Sequence, residues 1–243
     1  MVQRIISVVP SQTELLFDLG LEQHVAGITW FCERPADKVK QVPKIGGTKN
    51  LKVDKILSLK PDLVIANKEE NEKEQIEELA RHVPVWTSDV NDLPSALEMI
   101  REVGRLCDKQ EEAEEMAAKI AAGFAELRPA STERTAYLIW RQPWMTVGRD
   151  TFIHDVMERA GYKNIYSRKI RYPETSLEEL AASEPEVILL SSEPFPFKQK
   201  HVEEVLQAIP SARVELTDGQ VFSWYGSRLL QSIEVLKKLR LAA

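Results

Sequence analysis

Cysteine is scarce in this sequence, whose 243 residues include only Cys32 and Cys107. The two thiols form no CxxC pair and have no zinc-ligand spacing, which excludes a disulfide framework and favours unpaired cysteines. A chain of this length can bury a full core without covalent staples. It is long enough for one large domain or for two smaller ones.

Long apolar runs and basic clusters are also missing. No run approaches the roughly 18 apolar residues of a membrane-spanning helix. The net charge is −6, and Lys and Arg form no stripe that could follow a phosphate backbone, so the composition argues against a nucleic-acid partner. The first residues enter a strand-like run without a basic and apolar leader. The protein is therefore either cytoplasmic, with Met1 as its natural start, or an exported protein whose leader was removed.

Catalytic motifs are absent as well. The sequence has no GxSxG, HExxH, P-loop or GxGxxG pattern. Its four histidines stand singly, without a partner at metal-ligand spacing. We therefore expect no catalytic residues and no metal site, and we predict that the protein is not an enzyme.

What the sequence does contain is an alternation of short β-branched runs with helical patterns. Strands are predicted in both halves, at 4–9, 25–29, 63–66, 83–87, 135–140, 186–191 and 213–216. Residues 92–127 interrupt this rhythm without a strand signal, and 109–127 are predicted to form one helix. The pattern predicts an α/β fold with mostly parallel sheets flanked by helices: an N-terminal lobe at 1–105, a long rigid linking helix at 106–128 and a C-terminal lobe at 129–243.

An internal repeat supports the two lobes. The stretch LKPDLVIANKEE at 59–70 returns as SEPEVILLSSEP at 183–194, and VWTSD at 85–89 has a counterpart in VELTD at 214–218. Such a repeat implies two lobes of similar design. Since ligands of open α/β sheets bind beyond the carboxyl ends of the strands, we expect the ligand in a cleft between the lobes.

The loops that follow the strands are rich in aromatic and cationic residues. Every tryptophan except Trp86 falls in one of these loops. Aromatic rings beside a cleft suit a large, flat ligand, although any one of them could instead pack beneath its own loop. The predicted ligand-binding residues are Trp30, Phe31, Trp140, Arg141, Trp144, Tyr172, Trp224, Tyr225 and Arg228.

Several segments together resemble the substrate-binding proteins of ABC importers for vitamin B12 and iron–siderophores, whose two lobes are joined by one long helix. The segments are RIISVVPSQTELLFDLG, ITWFCERP, VPKIGG, ILSLKPDLVIA, TVGRDTFIHDVMERAGYKNIY and ETSLEELAASEPEVILLS. The resemblance covers nearly the whole chain. It is closest to the vitamin B12-binding branch, which places corrinoid-contacting aromatics where this chain has Trp30 and Trp224. That branch tends to have a further tryptophan where this chain has Asn67, so we expect part of the ligand face to be polar.

The resemblance implies a non-enzymatic, monomeric and periplasmic or otherwise extracytoplasmic receptor that delivers a bulky metal chelate to permease subunits. It implies no cofactor beyond the ligand itself, a cobalt corrinoid or a ferric chelate. A glutamate on each lobe would dock on the permease: Glu69 and Glu193, with Glu70, Glu72 and Glu74 or Glu203 and Glu204 as alternatives.

Two other functions stay open. A siderophore or haem receptor of the same class could pair Arg141, Arg171 and Arg228 with carboxylates or phosphate. A cytoplasmic enzyme or metal-centre protein could use the same two-lobed scaffold, because a fold does not fix a function.

Overall fold

The computed structural model describes residues 2–127 and 132–241. Packing divides the chain into two compact units. The first unit comprises Met1–Val90, Pro94–Ile120 and Tyr225–Arg228, and the second comprises Asn91–Leu93, Ala121–Trp224 and Leu229–Ala243. The domain boundary predicted at residues 128 and 129 lies outside the described residues.

The first unit is built on a four-stranded parallel sheet. Its strands are β1 (Ile5–Ser7), β2 (Val25–Ile28), β5 (Leu63–Asn67) and β6 (Val85–Ser88), in the order β2-β1-β5-β6. A separate hairpin pairs β3 (Gly46–Gly47) with β4 (Asn50–Leu51). Helices α1 (Pro10–Asp18), α2 (Val53–Ser58) and α3 (Lys73–Ala80) connect the strands. Every residue of β1 and β5 is buried, which explains their unbroken apolar runs.

Two helices occupy the stretch that shows no strand signal. They are α4 (Leu93–Leu106) and α5 (Gln110–Ala125), so the helix predicted at 109–127 is confirmed to within two residues at each end. Gly104 allows the chain to turn tightly between them, because an added Cβ there would lie 2.3 Å from the Cβ of Ala113. The division between the two units falls inside α5, after Ile120.

The second unit has a six-stranded mixed sheet. Its strands are β7 (Glu133–Trp140), β8 (Trp144–Thr146), β9 (Tyr162–Asn164), β10 (Glu174–Thr175), β11 (Val187–Ser191) and β12 (Arg213–Thr217). β7, β9, β11 and β12 are parallel, whereas β8 is antiparallel to β7 and β10 is antiparallel to β8. The helices are α6 (Phe152–Arg159), α7 (Leu177–Ala182), α8 (Gln199–Ala208), α9 (Gly219–Ser223) and α10 (Leu229–Leu241).

The predicted α/β class with mostly parallel sheets is confirmed, and the corrections concern short strands in stretches without a strand prediction, namely β3, β4, β8, β9 and β10. The stretch 141–151, which the sequence indicates to be a loop, contains β8. This strand has only three residues and pairs with β7 around a register shift, so it has too few alternating positions to give a periodic signal.

The internal repeat extends to individual backbone angles. Helices α2 and α7 have the same length, and so do strands β5 and β11. The same number of residues separates each helix from the strand that follows it. Between helix and strand, Lys60 and Glu184 both adopt a left-handed conformation, with φ of 48° and 47°. Asp62 accepts hydrogen bonds from the backbone N–H groups of the chain entering β1, and Glu186 does the same at the start of β7. The two units therefore share one building plan.

Among residues 2–127 and 132–241, no helix combines the length and the apolar character needed to cross a membrane.

Candidate functional site

Two exposed aromatic side chains lie at the carboxyl edge of the first unit's sheet, just after β2. Trp30 is 54% exposed and Phe31 is 60% exposed. The hairpin of β3 and β4 supports them: the Trp30 N–H donates to the Gly46 carbonyl (2.9 Å), and a Cβ added to Gly47 would lie 3.2 Å from Phe31 Cε2. Lys52 places its Nζ 5.3 Å from the Trp30 ring centroid. Two large rings are thus held in solvent on a rigid base.

A buried polar network occupies the same edge of the first unit and includes Asn67, which is 2% exposed. The Asn67 Nδ2 donates to Ser88 Oγ (3.1 Å), and its Oδ1 accepts the N–H groups of Glu69 (2.9 Å) and Glu70 (3.2 Å). Gln12 Nε2 donates to the same serine oxygen. The Asn67 side chain is therefore buried and organises the turn after β5, and the expectation of a partly polar ligand face stays a prediction.

The docking candidates of the first unit lie on and after that turn. Glu69 and Glu70 are half-buried, and the Glu69 carbonyl accepts a hydrogen bond from Lys49 Nζ (2.7 Å). Glu72 and Glu74 are exposed. Glu72 lies 3.7 Å from the same lysine, and Glu74 is in the first turn of α3. The docking role of Glu69 stays a prediction.

Two further predicted ligand-binding residues of the first unit are buried. Tyr225 is 6% exposed and Arg228 is 8% exposed. The Arg228 guanidinium makes a two-pronged ion pair with Glu14 of α1, with Nε donating to Oε2 at 3.0 Å and Nη2 donating to Oε1. Burial raises the pKa of Glu14, and the charge of Arg228 opposes that rise. Arg228 is thus committed to a carboxylate of its own chain.

The second unit gathers four aromatic rings, at the end of β7, at the start of β8 and in the segment after β11. Trp140, which is 39% exposed, meets the edge of Phe195 with ring centroids 5.7 Å apart. Trp144 stacks on Phe197 at 5.9 Å with planes 10° apart, and Phe195 contacts Phe197 at 4.8 Å. We call these four residues the aromatic wall. Phe195 and Phe197 were not identified from the sequence, although their position directly after a predicted strand could have pointed to them.

Polar side chains flank the aromatic wall. Arg141 donates twice to the carboxylate of Glu204 (2.9 and 2.8 Å) and lies 5.8 Å from the centroid of Trp144. His201 packs against Phe195 and Phe197, and its Nδ1 accepts the Lys198 N–H (2.9 Å), which requires an unprotonated nitrogen. Burial lowers the pKa of His201, and nearby cations lower it further.

Tyr172 lies at the end of the loop that leads into β10. It is half-buried, and the Arg171 guanidinium sits 5.6 Å from its ring centroid. The Arg171 carbonyl accepts the Gly148 N–H at 2.7 Å, which joins this loop to the segment after β8.

Trp224 and Glu193 contact each other. The Trp224 indole is 8% exposed, and its Nε1 donates to Glu193 Oε1 at 2.9 Å. Ser223 Oγ donates to the same oxygen at 2.7 Å. The carboxylate predicted to dock on a permease thus holds the indole predicted to contact the ligand. Neither assigned role is tested by this geometry.

In the described part of the chain, no group of three or more His, Cys, Asp or Glu residues is placed to hold a metal ion. Cys32 and Cys107 are both buried free thiols, as predicted. Burial raises the pKa of both, that of Cys107 to about 11. Neither is an activated nucleophile of the low-pKa, exposed type.

Comparison with known proteins finds a family and several proteins of similar sequence or fold. The family described as periplasmic binding protein matches residues 5–213. The vitamin B12-binding protein of Vibrio campbellii is 28% identical over 195 residues, which cover 78% of this chain and 70% of that protein.

Two solved structures share the fold. The apo periplasmic heme-binding protein of Roseiflexus sp. RS-1 has a TM-score of 0.82 and 24% identity, over 100% of this chain and 98% of that one. The periplasmic vitamin B12-binding protein of Vibrio cholerae has a TM-score of 0.77 and 20% identity, over 100% of this chain and 99% of that one.

Proposed function

The chain belongs to the periplasmic binding protein family, and from this premise we propose that it is the substrate-binding protein of an ABC importer. It captures a bulky metal chelate outside the cytoplasm and delivers it to the permease, acting as a monomer and without catalysis. The curated relative named for vitamin B12 supports a cobalt corrinoid as the first candidate ligand. The binding-protein names of the relatives favour this function over an enzyme on the same scaffold.

The observation that carries the proposal is the exposed pair of Trp30 and Phe31. Two adjacent, exposed aromatic rings form an apolar patch of the kind that marks an interaction site. Each ring offers a flat apolar face to a macrocycle, and an aromatic side chain has few rotatable bonds whose freedom binding could remove. On the second unit, the partly exposed Trp140 offers a comparable ring.

A specific observation favours a second candidate ligand, a haem or another anionic ferric chelate. Three predicted ligand-binding aromatics each have a cation near the ring, at 5.3 to 5.8 Å. The pairs are Lys52 with Trp30, Arg141 with Trp144 and Arg171 with Tyr172. A flat ligand with carboxylates at its rim could stack on the rings and meet the charges. Lys52 and Arg171 are exposed, whereas Arg141 is already paired with Glu204.

Calorimetric titration with cyanocobalamin, haemin and a set of ferric siderophores tests the proposal. We expect saturable binding of at least one compound, and we expect Trp30→Ala to weaken it about tenfold or more, as for a central aromatic contact. Val235→Ala, an exposed apolar residue of α10, is the matched control and should leave the affinity unchanged. Absence of saturable binding across the panel would refute the proposal.

The charge of Lys52 separates the two candidate ligands. Lys52→Gln should weaken the binding of haemin or of a carboxylate siderophore several-fold and affect that of cyanocobalamin less, because only the former present carboxylates to the lysine. If the variant binds every compound as tightly as the wild type does, Lys52 is not part of the binding site.

A further inference from the structure

Glu193 stands at the start of the loop that carries half of the aromatic wall. The segment 192–198 runs from the end of β11 to α8 and includes Phe195 and Phe197. The Glu193 carboxylate reaches from this loop to the end of α9, where it accepts the hydrogen bonds of Ser223 and Trp224. One side chain therefore joins the loop that bears Phe195 and Phe197 to the segment that bears the predicted ligand-binding residue Trp224.

The surroundings of Glu193 form a tightly fitted site. Gly219 leaves no room beside it, since an added Cβ would lie 2.5 Å from Glu193 Cγ. Ser192 Oγ accepts the Gly219 N–H (2.9 Å), and Ser191 Oγ donates to the Glu193 carbonyl (2.6 Å). Glu193 is thus held by contacts at its backbone carbonyl, at its Cγ and at its carboxylate.

We propose that Glu193 is a positioning residue: it fixes the Trp224 indole and the loop bearing Phe195 and Phe197, so that the ligand meets a preformed aromatic surface. This inference rests on the proposed function. Fixing the surface in advance removes an ordering cost from binding and so raises affinity. The carboxylate predicted to dock on a permease already accepts two hydrogen bonds from its own chain at Oε1. The exposed Glu203 on α8 suits docking better.

Two substitutions at position 193 separate positioning from charge. Glu193→Ala removes the acceptor and should weaken binding of the compound that the wild type binds, cyanocobalamin or haemin, about tenfold or more. Glu193→Gln keeps an acceptor oxygen without the charge and should stay within about threefold of the wild type. Ser223→Ala, which removes the other donor and leaves the indole bond, is the matched control and should also stay within about threefold.

A second variant keeps the test decisive if the alanine variant does not fold. Trp224→Phe retains an aromatic ring but lacks the N–H donor, so it should weaken binding, and adding Glu193→Gln should weaken it no further. Equal losses in Glu193→Gln and Glu193→Ala, or unchanged affinity in a folded Glu193→Ala protein, would overturn the inference.

The fluorescence of Trp224 provides a readout that needs no ligand. The emission of Trp224 is obtained by subtracting the spectrum of the Trp224→Phe variant from that of the protein with Trp224, each with and without Glu193→Ala. We expect a red shift of that emission in Glu193→Ala and none in Glu193→Gln. If the proposed function is wrong, the wild type binds none of the compounds but the red shift in Glu193→Ala is still observed. If the inference about Glu193 is wrong, the red shift is absent.

Discussion

The two units share a scaffold and differ in the loops that leave it. Helix α2 with strand β5, and helix α7 with strand β11, match in length, in spacing and in the left-handed residue between them. At the carboxyl edge, the first unit presents an exposed ring pair above a buried amide network, whereas the second presents four rings that pack on one another. The two units thus have the same core elements and differ in their loops.

The two units also differ in how far an ion pair is buried. Glu14 and Arg228 of the first unit are nearly buried, with side chains 7% and 10% exposed. Arg141 and Glu204 of the second unit are 27% and 33% exposed. Both are two-pronged Arg–Glu pairs, but water screens the exposed pair, whereas each buried charge depends on its partner. Loss of the arginine should therefore lower the free energy of unfolding much more in the buried pair than in the exposed one.

The largest expected effect tests this contrast. Arg228→Met should lower the free energy of unfolding by about 3–5 kcal/mol, because it leaves Glu14 buried without its counter-charge. Arg141→Met should cost about 1 kcal/mol or less. Urea denaturation followed by circular dichroism measures both. Adding Glu14→Leu to Arg228→Met should restore much of the loss, and a small effect of Arg228→Met alone would contradict the buried pair.

Matched core substitutions test the shared scaffold. Ile56 of α2 and Leu180 of α7 occupy equivalent positions and are fully buried. Ile56→Ala and Leu180→Ala should each lower the free energy of unfolding by about 2–5 kcal/mol through lost apolar contact and a cavity. The exposed Lys55→Ala serves as control and should change it by less than about 0.5 kcal/mol. A large loss in one unit and none in the other would break the equivalence.

The shared scaffold could be predicted from the sequence because its signals are local. Strands such as β5 and β11 are unbroken apolar runs, and α7 begins with Ser176, whose side chain accepts the Glu179 N–H. The strands β8, β9 and β10 have only two or three residues, which is too short for a periodic pattern. Short strands of this kind are defined by the neighbours they pair with.

The candidate site was less predictable because burial depends on distant partners. Trp30 and Trp224 look alike in sequence, each in a loop after a strand, yet one is 54% and the other 8% exposed. Trp224 donates a hydrogen bond to Glu193, a partner distant in sequence that no local pattern encodes. The same holds for Arg228, whose partner Glu14 is near the other end of the chain. The predicted ligand cleft stays a prediction.

The smallest expected effect concerns the left-handed residues Lys60 and Glu184, both exposed and both at a φ near 48°. A side chain in this conformation costs roughly 1 kcal/mol, which glycine avoids. Glycine also increases the freedom of the unfolded chain, so we expect a net stabilisation of only about 0.5 kcal/mol. Lys60→Gly and Glu184→Gly should raise the urea midpoint equally, whereas Lys55→Gly inside α2 should lower it. Opposite signs at the two positions would show that one side chain contributes contacts that the other lacks, and the equivalence of the two units would then end at the backbone.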